Sequence, residues 1–329
     1  MTQPEIFARP EMQVALAAVR EAALLAAQIQ AEMRGDDARL KSDHTPVTVA
    51  DFAAQAVIAA RLAEAFPHDA LVAEEGSDML ADPSQAALAS RVLAYVRRLR
   101  PQATASQVAA WIARGGAAPS HRFWTLDPID GTKGFLRGGQ YAVALALVEA
   151  GQVQVGVLGC PALVLAGEPG VLAAAWRGHG AWWTRLAGNA AWQPLRVSSC
   201  RRPEEARLLR SFEDTHTDTA RLAALQRLLG LRRPPLRMDS QAKYVVLAAG
   251  EAELMVRLPP PQQPNYREKL WDQAAGALVL HEAGGQVTDA RGRPFDFRAG
   301  RALTANLGVA ASNRLLHDAL LTALQQVLA

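Results

Sequence analysis

The chain of 329 residues contains very little cysteine and very little lysine. Its two cysteines, Cys160 and Cys200, are too few for a disulfide framework, and no CxxC spacing typical of a zinc site is present. This usage favours a reducing compartment, so we expect the protein to work in the cytoplasm. Only four of the 35 basic residues are lysines, so arginine dominates the basic charge, and arginine is well suited to binding phosphates.

The sequence also lacks an uninterrupted apolar run approaching the roughly 18 residues that a membrane-spanning helix needs. Its first residues include Glu5, Arg9 and Glu11, rather than the basic and then apolar pattern of a secretion signal. We therefore expect an unprocessed protein that does not bind a membrane. The formal net charge of +3 does not by itself indicate a nucleic-acid partner, because no motif interleaving aromatic and basic residues accompanies it.

Hydrophobic residues make up half of the chain, which is long enough to bury two cores. Apolar spacing predicts an amphipathic helix over residues 12–33, and an alanine-rich stretch predicts a second helix over residues 51–66. The segments HRFWTLDPID and YAVALALVEAGQVQVGVLGCP predict a strand and a hairpin, and residues 203–229 predict a further helix. These elements do not follow a regular βαβ order, so we expect an α+β fold with a domain junction near residues 190–200.

The segment DPIDGTKGF holds two carboxylates three residues apart, on a backbone that Pro128 and Gly131 should bend away from a regular helix or strand. Asp127 and Asp130 alone could form a turn, because Asp-Pro and Asp-Gly are frequent there. Further acids lie at the ends of other predicted elements: Asp51, Glu74, Glu75 and Asp272. Oxygen ligands without a histidine or cysteine cluster are typical of a hard cation such as Mg²⁺, and several converging acids would bind more than one ion.

Four separated blocks resemble the inositol monophosphatase superfamily of Mg²⁺-dependent, lithium-sensitive phosphatases: KSDHTPVTVAD, VAEEG, WTLDPIDGTKGFLRGGQYAVALALVEAG and WDQAAGALVLHEAGGQVTDARGRPFDF. SFEDTH and DSQAKYVVLAAGEAELMVRLP resemble its 3′(2′),5′-bisphosphate nucleotidase branch. The resemblance implies a layered α/β/α/β/α sandwich of the inositol monophosphatase type. With the junction above, we expect an N-terminal α+β domain over residues 1–195 and a C-terminal α/β domain over residues 196–329.

The resemblance also implies a site with two Mg²⁺ ions. Glu74, Asp127 and the backbone carbonyl of Ile129 would bind one ion, and Asp127, Asp130 and Asp272 would bind the second. Asp127 would thus bridge the two ions, and Glu74 would also bind a third, weaker one.

Three residues are the expected catalytic groups: Asp51, Glu74 and Thr132. By resemblance, Thr132 would orient the attacking water and Asp51 would accept its proton. Four of the residues considered so far have a structural alternative. Asp51 and Asp272 could be helix caps, Thr132 could only stabilise the turn at Asp130, and Glu75 fits a supporting or solvated residue better than a ligand.

Matching positions of the nucleotidase branch imply a nucleotide site formed by His216, Ser240, Lys243 and Arg257. Lys243 and Arg257 would face a 5′-phosphate, although each of these residues could also be an ordinary surface group. The implied activity is removal of the 3′-phosphate from 3′-phosphoadenosine 5′-phosphate to give AMP, and the same site could accept the related sulfate donor 3′-phosphoadenosine 5′-phosphosulfate. An inositol or fructose phosphate phosphatase and a catalytically silent nucleotide-binding regulator are the alternatives; the sequence does not predict an oligomeric state.

Overall fold

A computed structural model of the chain describes residues 5–33, 38–40 and 46–329, apart from the side chains of residues 38–40, 46, 81 and 216. The α-helices in this part of the chain are α1 Pro10–Glu32, α2 Val49–Ala65, α3 Asp78–Ala81, α4 Ala86–Leu99, α5 Ala105–Ala113, α6 Thr132–Leu136, α7 Thr219–Leu228, α8 Ala242–Ala248, α9 Ala274–Glu282 and α10 His317–Leu328. Helices α1 and α2 agree with the two helices predicted for the first 66 residues, to within about two residues at each end.

The strands form three sheets in the described residues. A two-stranded sheet pairs β1 Ala38–Leu40 with β2 Pro46–Thr48. A seven-stranded sheet has the order β3 Ala70–Ala73, β4 Arg122–Asp130, β5 Ala142–Glu149, β6 Gln152–Leu165, β7 Glu168–Trp176, β8 Ala181–Arg185 and β9 Gln193–Pro194. A five-stranded sheet contains β10 Leu208–Arg210, β11 Leu236–Arg237, β12 Leu254–Arg257, β13 Gln286–Thr288 and β14 Val309–Ser312, in the spatial order β11-β10-β12-β14-β13.

Helices and sheets alternate in five layers. Helices α1 and α2 pack on the seven-stranded sheet, and α9 packs on four strands of the same sheet, β5 to β8, from the other side. Helices α8 and α9 pack against each other and also reach β12 and β13 of the five-stranded sheet. Helices α7 and α10 close the last layer through a third apolar core. This arrangement confirms the predicted layered α/β/α/β/α fold.

Helix α1 is long and apolar enough to cross a membrane by length and composition alone, and it is the one such helix among the described residues. Half of its most apolar window is buried inside the fold. Its buried side chains include Met12, Val19 and Ile29, which belong to the core beneath the seven-stranded sheet. The apolar stripe is therefore explained by packing on the sheet, and no membrane is indicated.

The helix predicted over residues 203–229 is wrong for most of its length. Residues 208–210 form β10, a buried strand between β11 and β12, and only Thr219–Leu228 is an α-helix. A short apolar run gives no clear period, so its neighbours in the sheet decide the structure rather than local preference.

The predicted domain boundary at residue 195 lies between the last strand of the seven-stranded sheet and the first strand of the five-stranded sheet. The second apolar core contains residues from both sheets, such as Val153 and Met255. Because this core joins the two halves, their separation into two domains stays a prediction.

The contact between β6 and α9 predicts a sensitive position for stability. A Cβ atom added at Gly156 would lie 2.8 Å from the carbonyl oxygen of Ala275, which is backbone and cannot rotate away. We therefore expect Gly156→Ala to lower the free energy of unfolding by about 1–3 kcal/mol, measured by denaturant titration. Gly76→Ala is the control, because a Cβ there meets no atom within 4 Å. Equal effects of the two variants would contradict close packing between β6 and α9.

Candidate active site

One cavity of about 510 Å³ collects residues from both sheets. The seven-stranded sheet contributes Glu74, just after β3, and the segment from Asp127 to Lys133 at the end of β4. The five-stranded sheet and its connections contribute most of the remaining wall, from Ser211, Ser240 and other residues. The volume is in the range of small-molecule sites.

A β-bulge in β4 explains how two aspartates three residues apart reach this cavity. Asp127 pairs with Ala144 and Asp130 pairs with Ala142, so three steps along β4 oppose two steps along β5. In a regular strand, side chains three positions apart point to opposite faces. The extra residue in the bulge allows both carboxylates to line one cavity, and Gly131 follows with a left-handed φ of 87° that few other residues adopt. The segment from Asp127 to Asp130, which we expected to bend away from a regular helix or strand, is thus a bulged part of strand β4.

The carboxylates around the cavity disfavour each other's ionised forms. Burial raises the pKa of Asp127 well above its usual range, and the nearby charges of Glu74, Asp130 and Asp272 raise it further, as does a hydrogen bond with the Glu74 side chain. Burial and the charge of Asp130 likewise raise the pKa of Asp272. Burial raises the pKa of Asp130 to about 6, although Lys243 and the backbone N–H of Gln241 counteract this effect. Without a cation, these acids cannot all be ionised at low energetic cost.

The oxygen atoms of the acids at the cavity suit a hard divalent cation, although the acids are not yet close enough to surround one ion. Among the described residues, no three acidic, histidine or cysteine side chains lie close enough together to bind an ion. The four acids that do line the cavity offer only oxygen atoms: Glu74, Asp127, Asp130 and Asp272. A cation between Glu74 and Asp127 would replace the hydrogen bond that now joins them and would relieve the repulsion. The assignment of these acids and the Ile129 carbonyl as ligands stays a prediction.

Thr132 is the first residue of α6 and lines the cavity. Its Oγ1 donates a hydrogen bond to the carbonyl oxygen of Ile129 at 3.2 Å. The lone pairs of Thr132 Oγ1 therefore remain available to accept a hydrogen bond from a water molecule. A role in which Thr132 only stabilises the turn is compatible with the same contact, and its role in orienting water stays a prediction.

Asp51 does not line the cavity. It is buried at the third position of α2, where its Oδ2 accepts hydrogen bonds from the backbone N (2.8 Å) and the hydroxyl (2.7 Å) of Thr48. Asp51 is therefore the acid of a capping box, and Thr48 is the N-cap residue. That Asp51 accepts a proton from the attacking water stays a prediction.

Asp272 is not a helix cap, and Glu75 is not a solvated side chain. The N-cap residue of α9 is Gln273, and Asp272 lines the cavity. Glu75 is only 4% exposed, and it does not line the cavity. The backbone N–H of Glu75 donates to Gln55 Oε1, and its carbonyl accepts from Gln55 Nε2.

Three of the four predicted nucleotide-binding residues line the same cavity: Ser240, Lys243 and Arg257. Ser240 has a left-handed φ of 64°, which is uncommon for a residue other than glycine and marks a tight turn. Lys243 Nζ donates to the carbonyl oxygens of Ser240 at 2.8 Å and Met238 at 3.2 Å. Burial lowers the pKa of Lys243 to about 8, although Asp130 opposes the shift. His216 ends a short 3-10 helix, but its side chain lies outside the described part of the chain.

Arg257 is held by an acid that the sequence motifs did not identify. Glu268 is buried, and its Oε2 lies 3.1 Å from Nη1 of Arg257 and accepts a 2.8 Å hydrogen bond from Gln273 Nε2. Burial lowers the pKa of Arg257, but the charge of Glu268 and other nearby groups raises it by more, so the guanidinium stays charged. The signal in the sequence was indirect: an arginine that is partly removed from water favours a carboxylate partner, and Glu268 lies four residues before Asp272.

Comparisons with known proteins agree with this fold. The chain matches the model of the inositol monophosphatase family over residues 8–329, and it therefore belongs to that family. Among solved structures, a Thermotoga maritima IMPase has a TM-score of 0.69 at 22% identity, with 97% of this chain and 98% of that chain covered. A likeness at this identity shows the fold, and the family is generally metal-dependent.

Curated relatives are more similar in sequence. A 3′(2′),5′-bisphosphate nucleotidase of Schizosaccharomyces pombe is 37% identical, covering 95% of this chain and 94% of the relative. A protein of the same name from Oryza sativa is 38% identical, covering 97% of this chain and 94% of the relative. The predicted resemblance to this branch and the predicted enzyme class, a phosphatase, are confirmed.

The crowding of acids predicts that Mg²⁺ stabilises the fold through Asp127. We expect Mg²⁺ to raise the melting temperature of the wild type by several degrees, because an ion that binds only the folded state stabilises it. Asp127→Asn removes one ligand charge and should abolish most of this increase. The same variant should lower phosphate release by at least about a hundredfold.

The matched control is Glu168→Gln, which removes a half-exposed acid on β7 outside the cavity. It should keep the full Mg²⁺-dependent increase in melting temperature. An unchanged increase in Asp127→Asn would contradict the assignment of Asp127 as a ligand.

Proposed function

We propose that the protein is a Mg²⁺-dependent phosphatase that hydrolyses the 3′-phosphate of 3′-phosphoadenosine 5′-phosphate to give AMP and phosphate. We include the related 3′-phosphoadenosine 5′-phosphosulfate as a second substrate. One observation carries the proposal: a single cavity is lined by four acids and also by two partly buried cations, Lys243 and Arg257. Such a cavity has a metal-binding region for a reacting phosphate and a cationic region for a second phosphate. The names of the curated relatives support the same class of substrate.

The reacting phosphate needs charge neutralisation, because a phosphate monoester dianion repels nucleophiles. Two bound Mg²⁺ ions would supply that neutralisation at the attacking and leaving oxygens, and a third, weaker ion would bind at Glu74. The residues that would hold them are Glu74, Asp127, Asp130, Asp272 and the Ile129 carbonyl. The bulge in β4 fixes Asp127 and Asp130 relative to each other. The turn after β4 is fixed in addition by the backbone N–H of Gln241, which donates to Asp130 Oδ2 at 2.6 Å.

The attacking water would be oriented by Thr132. Because the Thr132 hydroxyl already donates to the Ile129 carbonyl, it can act only as an acceptor toward the water, and this fixes the direction of one O–H bond. We propose that Asp51 accepts the other proton of the attacking water, the one that does not face Thr132. That step rests on the resemblance to the family, because Asp51 does not line the cavity.

The 5′-phosphate would bind at Lys243 and Arg257. Lys243 has a pKa of about 8, and an incoming dianion favours its protonated form, so a charge-assisted hydrogen bond should form at neutral pH. The guanidinium of Arg257 forms an ion pair with Glu268 and donates a hydrogen bond to the hydroxyl of Tyr266 at 3.3 Å. A substrate without a second phosphate gains nothing from these two cations.

Two other functions are possible on this fold, an inositol or fructose phosphate phosphatase and a silent nucleotide-binding regulator. The pair of cations at the cavity, Lys243 and Arg257, favours a substrate with a second phosphate over inositol monophosphate. Retention of all four acids at the cavity favours an enzyme over a silent regulator. We propose that the protein works in the cytoplasm and binds neither a membrane nor a nucleic acid.

The cationic region can be tested with paired substrates. Lys243→Met should lower kcat/KM for 3′-phosphoadenosine 5′-phosphate by roughly tenfold to a hundredfold, because a charged hydrogen bond is worth about 1.5–3 kcal/mol. Hydrolysis of 3′-AMP, which lacks the 5′-phosphate, should stay nearly unchanged. The second variant combines Arg257→Met with Glu268→Gln, so that no buried carboxylate is left unpaired.

The control for both variants is Arg185→Ala, which removes an exposed arginine from β8. Equal losses for the two nucleotides in either cavity variant would show that these cations do not contact a 5′-phosphate.

The nucleophile can be tested with a double-mutant cycle. Thr132→Ala and Asp51→Asn should each lower kcat more than they change KM, because both groups are proposed to act on the attacking water. Asparagine keeps an oxygen that can accept from Thr48, so this variant removes the charge while it preserves the cap of α2. The double variant should lose little more activity than the worse single variant. A loss equal to the product of the two single losses would contradict a shared role.

A further inference from the structure

Phe212 is an exposed aromatic residue that adjoins the lining of the cavity without forming part of it. Its side chain belongs to the few large apolar groups of the described surface, with a relative exposure of 45%. Ser211 directly before it and Thr215 three residues later both line the cavity. The ring therefore lies next to the proposed nucleotide site and contributes little to an apolar core.

An arginine covers one face of this ring. The Arg137 guanidinium carbon lies 4.3 Å from the ring centroid of Phe212. Its two terminal nitrogens form ion pairs with Glu213 and Asp239, so the guanidinium is held from two sides. Asp239 itself lines the cavity and has a mostly buried side chain. Phe212 thus has a guanidinium held over one face of its ring and keeps 45% of its surface exposed.

The aromatic rings that line the cavity are already engaged. Tyr244 is buried, and its hydroxyl donates to Gln273 Oε1 at 2.6 Å. Tyr266 has Arg257 over its ring at 5.3 Å and contacts the same guanidinium through its hydroxyl. Around the described part of the cavity, Phe212 is the aromatic side chain with the most open surface.

We propose that Phe212, supported by Arg137, is a stacking platform for the base of the substrate. This inference rests on the proposed function, because it requires a nucleotide. The acids and the two cations inside the cavity take the two phosphates, which leaves the flat, apolar base to be placed against the rim. Stacking on an exposed aromatic ring is favourable for every base and strongest for purines, which have the larger surface. Arg137 is a positioning residue that keeps the ring in one orientation.

The platform can be tested by binding, without metal and without turnover. AMP and ribose 5-phosphate share the 5′-phosphate and lack the 3′-phosphate, and only AMP carries a base. We expect the wild type to bind AMP more tightly than ribose 5-phosphate in calorimetry with chelator present. Phe212→Ala should weaken AMP binding roughly tenfold to a hundredfold and leave ribose 5-phosphate binding unchanged.

Three further variants make the result specific. Phe212→Trp should bind AMP at least as tightly as the wild type, because it enlarges the stacking surface. Phe212→Leu keeps apolar contact without a flat ring and should resemble Phe212→Ala. Val164→Ala is the control, because it shortens an exposed apolar side chain on β6 outside the cavity and should change neither ligand.

The platform is contradicted if Phe212→Ala binds AMP as the wild type does, if it weakens both ligands equally, or if Phe212→Leu keeps full AMP affinity. A wild type that binds AMP and ribose 5-phosphate equally would contradict it as well. These outcomes are separate from failure of the proposed function, which would appear as absence of phosphate release from 3′-phosphoadenosine 5′-phosphate by the wild type.

Discussion

Repulsion among the carboxylates that line the cavity is the interaction on which the account of this protein depends. The β-bulge at the end of β4 sends Asp127 and Asp130 into one cavity, and Glu74 and Asp272 line that cavity from other elements. Burial and mutual repulsion raise the pKa of Asp127 and Asp272, so the folded chain by itself does not favour four ionised acids. The arrangement is understandable as a site that binds cations, because added positive charge turns an unfavourable cluster into a favourable one.

The two halves of the chain meet at this site through a small number of polar contacts. The backbone N–H of Gln241 bonds Asp130, and Arg137, just after the acidic segment, pairs with Asp239 in the turn that precedes Lys243. Gly134 also lies so close to that turn that a Cβ atom there would approach Asp239 within 2.7 Å. The acidic region and the cationic region therefore have a fixed spacing, which is what a substrate with two phosphates requires.

The sequence predicted those parts of the site that stand in short sequence motifs. Residue types at the ends of predicted elements indicated the acids, and the resemblance to the family implied Thr132, Ser240, Lys243 and Arg257. All of these except Asp51 and Glu75 line the cavity. Contacts between distant segments could not be predicted. Arg137 bonds Glu213 and Asp239, which lie 76 and 102 positions further along the chain, and Glu268 is recognisable only beside Arg257 in space. The strand β10 was missed for the same reason, because two neighbouring strands define its structure.

Phosphate release by the wild type, compared across three substrates, tests the central claim most directly. The substrates are 3′-phosphoadenosine 5′-phosphate, inositol monophosphate and fructose bisphosphate, each with Mg²⁺ and with chelator. The account predicts rapid release from the nucleotide with Mg²⁺, slow release from the other two, and none in chelator. Preference for an inositol or fructose phosphate would contradict the assigned substrate, and full activity in chelator would contradict the role assigned to the four acids.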